Sequence, residues 1–325
     1  MNNPAMPRSS MTAQPNRVTG QCSATPRRSR RWTLKAALTT GLATVLARPL
    51  AALADDLPYL DRIGLQLYTV RNQMQENADT TLSAIAEAGY RQVELMSIDS
   101  DAVKIASMAR DKGLMVHSAF MDWKAIVTPG AEGVTSVDQT IELAERIGLR
   151  HVVFGYIGRD ARDTADKCKR IAAAANVAAQ KTRGAGMRMC YHNHSFEFGT
   201  FEGSELRPSD IFIKEFDPQL MNFELDVFWV KIGGADPIEI MKRLAGRITQ
   251  IHLKDLKEGV GTIHDESKVP PDAFEELGDG VIEIGQIMKL AKEIGVQECH
   301  VEQDQSPAPL ESIVQSLQYL TGNIS

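Results

Sequence analysis

Beyond residue 60 the chain alternates between short apolar runs rich in β-branched residues and longer segments with the apolar spacing of an amphipathic helix. The runs predict eight strands, at residues 63–68, 91–95, 115–120, 151–156, 187–192, 221–226, 248–253 and 298–302. The longer segments predict helices near residues 79–88, 101–112, 132–147, 162–183, 208–216, 236–245, 283–294 and 308–320. Glycine stands where several of these helices should end, as at Gly89, Gly148 and Gly295.

Short strands that alternate with helices predict parallel pairing with right-handed crossovers. Eight such units in about 260 residues match the size of a closed barrel, so we predict an α/β fold with a single (β/α)8 TIM barrel. The alternative is an open doubly wound sheet, which would carry a glycine-rich phosphate turn after its first strand. The segment LQLYTVRNQM, which covers the end of that strand and the following turn, contains no glycine.

The first 54 residues have a different pattern, which predicts an export signal. Twin arginines at Arg30 and Arg31 precede an apolar stretch at 36–46, and a small-x-small site follows at 52–54. Paired arginines indicate the twin-arginine (Tat) route of bacteria. We therefore expect residues 1–54 to be removed and 55–325 to form the catalytic barrel in the periplasm. A membrane anchor is the alternative, but the apolar stretch is shorter than the roughly 18 residues that a spanning helix needs.

Charge and cysteine usage narrow the class of partner. The formal charge is −6, and loss of the first 54 residues, which hold eight Lys/Arg and no Asp/Glu, would leave −14. An acidic body argues against nucleic acid and, once the signal is removed, against a membrane surface as partner. The three remaining cysteines, Cys168, Cys190 and Cys299, lie in apolar strand-like or helix-like runs, so we interpret them as small buried hydrophobes.

Pairs of polar residues at a spacing of two mark the ends of the last four predicted strands. They are His192 and His194, Glu224 and Asp226, His252 and Lys254, and His300 and Glu302. Residues two apart on a strand share a face, and the chemistry of such barrels lies at the carboxyl ends of the strands. A buried salt bridge would explain one pair, but four converging pairs predict a ligand site.

Carboxylates and imidazoles without a thiolate suit one divalent cation. Mn²⁺ is favoured, with Mg²⁺, Co²⁺, Zn²⁺ and Fe²⁺ as alternatives. Spacing alone leaves Glu197, His192 and His194 open as the ligand from strand five.

Five motifs, in the order YHNHSFEF, ELDVFWVKIGGADP, IHLKD, LGDGVIEIGQI and HVEQDQS, resemble the sugar phosphate isomerase/epimerase family of xylose isomerase-like TIM barrels. The resemblance covers about residues 60–322. It implies a metal held by Glu197, Asp226, His252 and Glu302, with His192 as the substitute for Glu197. Relatives often have histidine where this chain has Phe120, so the resemblance does not carry over the identity of the substrate.

The resemblance also implies isomerisation or epimerisation of a keto-sugar through an enediolate. Glu197 and Glu302 would move the proton, and Lys254 would stabilise the oxyanion unless it serves only as an ion-pair partner of a carboxylate such as Asp304. His192, His194, Glu94 and Trp229 are the expected substrate contacts.

The partner is then a small-molecule sugar, and a homo-oligomer is compatible with it. A lyase, hydratase or dehydratase of 3-keto-glycosides or inosose-type substrates is the enzymatic alternative, because an enediolate can also expel a neighbouring group. A silent sugar-binding protein and an abasic-site endonuclease are the other classes, and the acidic charge argues against the latter.

Overall fold

The computed structural model of the protein describes residues 62–322. Its strands are β1 (Gly64–Gln66), β2 (Gln92–Leu95), β3 (Met115–Phe120), β4 (His151–Gly155), β5 (Arg188–His192), β6 (Met221–Asp226), β7 (Ile248–Leu253), β8 (Asp255–Leu256), β9 (Phe274–Glu275) and β10 (Glu298–Val301). Eight of them form a closed parallel barrel in the order β1-β10-β7-β6-β5-β4-β3-β2, and β8 pairs with β9 in a separate antiparallel ribbon. The predicted barrel is confirmed.

The helices surround this barrel. They are α1 (Arg71–Ala88), α2 (Ala102–Asp111), α3 (Lys124–Val127), α4 (Val137–Ile147), α5 (Arg159–Arg162), α6 (Ala165–Gly184), α7 (Pro208–Glu215), α8 (Val227–Ile232), α9 (Pro237–Arg243), α10 (Ile284–Ile294) and α11 (Pro309–Gly322). Each predicted helical segment has its counterpart. The short helices α3, α5 and α8 are additional.

Local sequence explains how a typical unit begins and ends, as α4 shows. The Ser136 side chain accepts a hydrogen bond from the Gln139 backbone, and the Gln139 side chain accepts one from the Ser136 backbone, which forms a capping box. The helix ends at Gly148, whose φ of 80° is a left-handed conformation that glycine adopts without steric cost.

Alternation along the strands separates two environments. Outward side chains such as Leu65, Val93 and Ile251 are buried between the barrel and the helices. Inward side chains are mostly polar. At the amino end of the barrel, for example, Gln92 Nε2 donates a hydrogen bond to Glu298 Oε2 at 3.1 Å. Polar residues inside a barrel need such partners, because an unpaired buried polar group costs about 1–3 kcal/mol.

Three further sequence expectations concern export and the cysteines. The predicted Tat signal at 1–54 lies outside the described residues. Within 62–322, no helix has both the length and the apolar character needed to cross a membrane. Cys168, Cys190 and Cys299 are buried free thiols, as predicted.

Candidate active site

The carboxyl ends of the barrel strands open into a cavity of about 500 Å³. Pockets of this size bind small molecules. Five of the predicted site residues line it: His192, His194, Trp229, Lys254 and Glu302. Strand register brings three others close, since Asp226 on β6 pairs with His252 on β7 and Glu94 on β2 lies behind His252.

His192 ends β5, and Glu224 of β6 holds its ring from behind. His192 Nδ1 lies 3.1 Å from Glu224 Oε1, while Gln250 Nε2 donates to the other oxygen of Glu224 at 2.6 Å. Burial lowers the pKa of His192 well below its usual value, so the ring is neutral. The tautomer that donates from Nδ1 to Glu224 leaves the lone pair of Nε2 on the side of Asp226, whose Oδ2 is 3.9 Å away. Gly155 makes room for this ring, because a Cβ there would lie 2.8 Å from the Cβ of His192.

His252 lies between two carboxylates. Its Nε2 is 2.6 Å from Glu94 Oε2, and its Nδ1 is 2.8 Å from Glu302 Oε2 and 3.8 Å from Asp226 Oδ2. Burial alone would disfavour the imidazolium, but Glu224, Glu94 and Glu302 outweigh it and raise the pKa of His252 well above its usual value. An imidazole backed by a carboxylate is the arrangement that orients histidine ligands in metal sites.

Lys254 joins three carboxylates at the edge of the cavity. Its Nζ donates to Asp304 Oδ1 at 2.6 Å and lies 2.8 Å from Glu302 Oε2 and 3.0 Å from Asp226 Oδ2. Burial opposes its charge, but these carboxylates raise the pKa of Lys254 well above its usual value. The ammonium group therefore stays charged. The ion pair between Lys254 and Asp304 that the sequence analysis considered is present. Lys254 also lines the cavity.

The donor atoms at the bottom of the cavity fit a divalent metal. His192, Asp226 and His252 can each offer a ligand atom within 4.8 Å of the others, and Glu302 Oε2 adjoins His252 Nδ1. Asp226 Oδ2 is buried and accepts no hydrogen bond, and its charged neighbour is Lys254 Nζ at 3.0 Å. A carboxylate oxygen has two lone pairs, so Asp226 Oδ2 can bind a metal as well as face Lys254. Two nitrogens and two oxygens suit Mn²⁺, Fe²⁺, Co²⁺ or Zn²⁺ better than Mg²⁺.

A second cluster of potential ligands lies deeper in the barrel: Glu94, Glu224, His252 and His300. Its carboxylates are already engaged, because Gln66 Nε2 and the Ser118 hydroxyl donate to Glu94 and Gln250 Nε2 donates to Glu224. We interpret the two carboxylates of this cluster as groups that orient metal-ligand candidates: Glu94 orients the ring of His252, and Glu224 orients the ring of His192.

Comparison with known proteins identifies the family. A family model described as xylose isomerase-like TIM barrel matches residues 82–322. The chain belongs to this family. An inosose dehydratase of Clostridium tetani is 28% identical over 167 residues, which are 48% of this chain and 55% of that protein. An inosose dehydratase of Clostridium botulinum (strain Alaska E43) is 23% identical over 296 residues, 84% of this chain and 94% of that protein.

A solved structure shows the same fold. The sugar phosphate isomerase/epimerase of Parabacteroides distasonis superposes with a TM-score of 0.65 at 24% identity, over 81% of this chain and 94% of that one. At this identity the likeness shows the xylose isomerase-like fold alone.

Glu197 is the predicted residue that the structure does not bring to the site. It lies on the 3-10 helix Phe196–Phe198, where its Oε1 accepts from Tyr191 Oη at 2.7 Å and its Oε2 from the His194 backbone at 2.9 Å. Tyr191 packs among Phe212 and other rings outside the barrel, so Glu197 is buried between barrel and helices. This position corrects its assignment as metal ligand and proton carrier. Glu197 lies five residues after His192, an odd spacing that places it on the outward face. His192, the alternative that the sequence left open, lies at the cavity end of β5.

His194 and Trp229 meet on the cavity wall, with ring centroids 5.2 Å apart. Trp229 is 4% exposed and packs edge-on against Phe228 and Phe274. A substrate in the cavity would therefore meet the edge of the indole and not its open face. Burial lowers the pKa of His194 to about 3. His194 Nδ1 and Trp229 Nε1 have no hydrogen-bond partner, so both remain predicted substrate contacts.

Phe120, where relatives often have histidine, packs on the metal-ligand side of the cavity. Its ring contacts His192 edge-on at 5.2 Å and lies 6.1 Å from His252. It therefore gives this side of the cavity an apolar wall.

Sequence reasoning gave no site role to several cavity residues, among them Asp304, Glu266 and Tyr156. Asp304 was considered only as an ion-pair partner of Lys254. Tyr156 was placed at the end of a strand, yet it follows β4 with a φ of 50° and is 46% exposed at the cavity mouth. Left-handed backbone at a residue other than glycine is a signal of function, but only a structure reveals it.

Proposed function

We propose that the protein is a divalent-metal-dependent dehydratase of a keto-sugar or keto-cyclitol. The observation that carries the proposal is the placement of the carboxylates. Glu302 faces the cavity beside the metal ligands, whereas Glu197, the second proton carrier of an isomerase or epimerase, is turned away from it. A single carboxylate base is sufficient for elimination, in which the second proton goes to the departing hydroxyl.

The relatives support this choice over the isomerase and epimerase reading. The inosose dehydratase of Clostridium botulinum matches along nearly its whole length, and inososes are ketones of cyclic polyols. The isomerase and epimerase neighbours support the fold.

His192, Asp226, His252 and Glu302 would hold the metal. When bound, it would act as a Lewis acid towards the substrate carbonyl. The carboxylate backing from Glu224 fixes the orientation that His192 needs for this role.

Glu302 is the proposed base. Burial raises its pKa, but Lys254 and His252 outweigh burial and hold the pKa of Glu302 well below its usual value, so it is ionised. Its contacts with His252 and Lys254 all involve Oε2, which leaves Oε1 for the proton on the carbon next to the carbonyl. The ammonium of Lys254 is engaged by Asp226, Glu302 and Asp304, so its role in this mechanism is to hold the base ionised and in place.

Asp304 is the proposed acid. Burial, opposed by the nearby ammonium of Lys254, raises the pKa of Asp304 to about 6. A protonated fraction therefore persists near neutral pH. As the electron pair of the broken C–H bond forms the new double bond, the hydroxyl on the next carbon leaves and takes the proton of Asp304, which releases water.

The test is product analysis of Mn²⁺-loaded protein with a panel of free keto-sugars and keto-cyclitols, read by mass spectrometry. We expect loss of one water, with deuterium exchange next to the carbonyl in D₂O. A product of unchanged mass with a moved carbonyl or an inverted carbon would restore the isomerase or epimerase reading.

Two glutamine variants refine the test. Glu302→Gln should lower turnover about 10²–10⁴-fold, the usual effect of a lost acid–base group, with metal occupancy measured on the same sample. Glu197→Gln is the matched control, because burial raises the pKa of Glu197 to about 8 and glutamine resembles its protonated form. Equal loss in both variants, with fold and metal intact, would refute the single-base mechanism.

A further inference from the structure

The long connection between β8 and β9 forms part of the cavity wall. Glu266, Ser267, Val269 and Pro271 of this connection line the cavity. Their contacts reveal a polar site that the proposed reaction does not use.

Glu266 is held in place by a buried arginine. The Arg162 guanidinium donates to Glu266 Oε1, and Arg162 is itself only 8% exposed. Arg162 Nε donates to the backbone oxygen of Ile157 at 2.5 Å, and its guanidinium carbon lies 3.3 Å from the centroid of the Phe196 ring. Both ends of this ion pair are fixed, so the Glu266 carboxylate has a defined position on the wall.

The second carboxylate oxygen, Glu266 Oε2, is buried and has no hydrogen-bond partner. Two more unpartnered polar atoms belong to residues of the same cavity wall, Trp229 Nε1 and His194 Nδ1. Each buried, unsatisfied group costs about 1–3 kcal/mol. Three such atoms in residues of one cavity wall support a bound molecule with hydroxyl groups as their partner.

The charges of the wall restrict that molecule. Three carboxylates line the cavity, Glu266, Glu302 and Asp304, against one lysine, Lys254, which is committed to carboxylates. A phosphate group is bound by available arginine, lysine or a helix amino terminus. The cations named here, Arg162 and Lys254, are both already paired.

We infer that Glu266 is a specificity-determining residue that accepts a hydrogen bond from a hydroxyl of the substrate, and that the substrate is a neutral polyol ketone without a phosphate group. The inference concerns the cavity of the proposed function. It is tested by binding, so it does not depend on which product is formed.

Calorimetry on the Mn²⁺-loaded protein provides the first test. The probes are D-fructose, 2-keto-myo-inositol and D-fructose 6-phosphate. We expect at least one neutral probe to bind and the phosphate ester to bind about 10-fold or more weakly than free fructose, because the cavity wall that the structure describes offers the phosphate group no unpaired lysine or arginine to offset its desolvation. Equal or tighter binding of the phosphate ester would overturn the inference, as would binding of no neutral probe.

Deoxy analogues of the neutral probe that binds provide the second test. For the wild type, removal of the hydroxyl that Glu266 accepts should weaken binding about 10-fold, the effect of one hydrogen bond to a charged group. Glu266→Gln should bind the parent more weakly and lose part of that discrimination, which is the coupling that a double-mutant cycle measures.

The matched control is Asp272→Asn in the same connection. The exposed Asp272 pairs with Lys257 at 2.9 Å, and neither residue lines the cavity, so this variant removes an ion pair of the connection and leaves the cavity wall unchanged. If Glu266→Gln weakened every analogue by the same factor, as a merely structural change does, the hydroxyl role would be refuted.

Discussion

Replacement of Glu94 by glutamine tests whether the carboxylates behind the imidazoles support metal binding. Glu94 Oε2 lies 2.6 Å from His252 Nε2 and also accepts from Gln66 Nε2 at 2.7 Å, while the Ser118 hydroxyl bonds Oε1. Glutamine has nearly the same volume, and its amide oxygen can accept from both His252 and Gln66. The variant therefore removes the charge and keeps the geometry.

The expected magnitude follows from the change in hydrogen-bond type. A bond to a charged group contributes about 1.5–3 kcal/mol and a neutral one about 0.5–1.5 kcal/mol, so the loss is about 1–1.5 kcal/mol. That loss corresponds to roughly a tenfold weaker metal affinity. It agrees with the lower end of the 10–100-fold effects seen for such supporting residues.

Proton competition sets the pH of the assay. Burial opposes protonation of His252, but Glu224, Glu94 and Glu302 raise its pKa in the metal-free protein, so the metal must displace a proton. Loss of the Glu94 charge lowers the affinity of His252 for the competing proton. At low pH this gain partly offsets the loss of Mn²⁺ affinity. We therefore expect a larger loss of Mn²⁺ affinity at about pH 9 than at about pH 6.

The assay is a Mn²⁺ titration against a competing chelator at both pH values. Glu298→Gln is the control, because Glu298 is a buried glutamate of the same barrel that accepts from Gln92 at the opposite end. If Glu94→Gln bound Mn²⁺ as tightly as Glu298→Gln at the higher pH, the support assigned to Glu94 would be refuted.

Two further predictions concern His252 and Tyr156. Because the pKa of His252 is raised in the metal-free protein, binding of Mn²⁺ near pH 7 should release about one proton, which calorimetry in buffers of different ionisation enthalpy measures. Binding without proton release would contradict a protonated His252. Tyr156→Gly should leave the free energy of unfolding unchanged or raise it by up to about 1 kcal/mol, since a left-handed residue other than glycine costs about 1–2 kcal/mol and Tyr156 is half exposed. Substrate binding should weaken in this variant. If thermal unfolding showed that Tyr156→Gly loses several kcal/mol of stability, the backbone of Tyr156 would not be strained.

The barrel could be predicted because its strands are buried runs with a regular alternation. The predicted strands 221–226 and 248–253 coincide with β6 and β7. The first predicted strand, 63–68, is longer than β1, because the chain turns into the 3-10 helix Leu67–Val70. The helices α3, α5 and α8 have at most six residues, which is too few for a helical period to be visible in the sequence.

The same reasoning explains which site residues were found. Asp226 and His252 lie on strands, where alternation fixes the face, and the structure brings them together. Glu197 lies past the end of β5, where a 3-10 turn ends the alternation, and a family resemblance could not correct for this. Glu266 belongs to a long connection whose path over the barrel depends on tertiary contacts such as the ion pair with Arg162.

The polar interior of this barrel supports the proposed position of the metal by a physical argument that is independent of resemblance. A buried polar network stabilises a fold when each member is satisfied, and it is costly where one is not. Glu94 and Glu224 have donors from Gln66 and Gln250 and hold His252 and His192 in turn. At Asp226 the network gives way to charge: Oδ2 accepts no hydrogen bond, and its neighbour is the Lys254 ammonium at 3.0 Å. The proposed metal would bind this carboxylate from the side of His192 and His252, so the supporting carboxylates behind those two rings would act on the metal through the imidazoles that they orient.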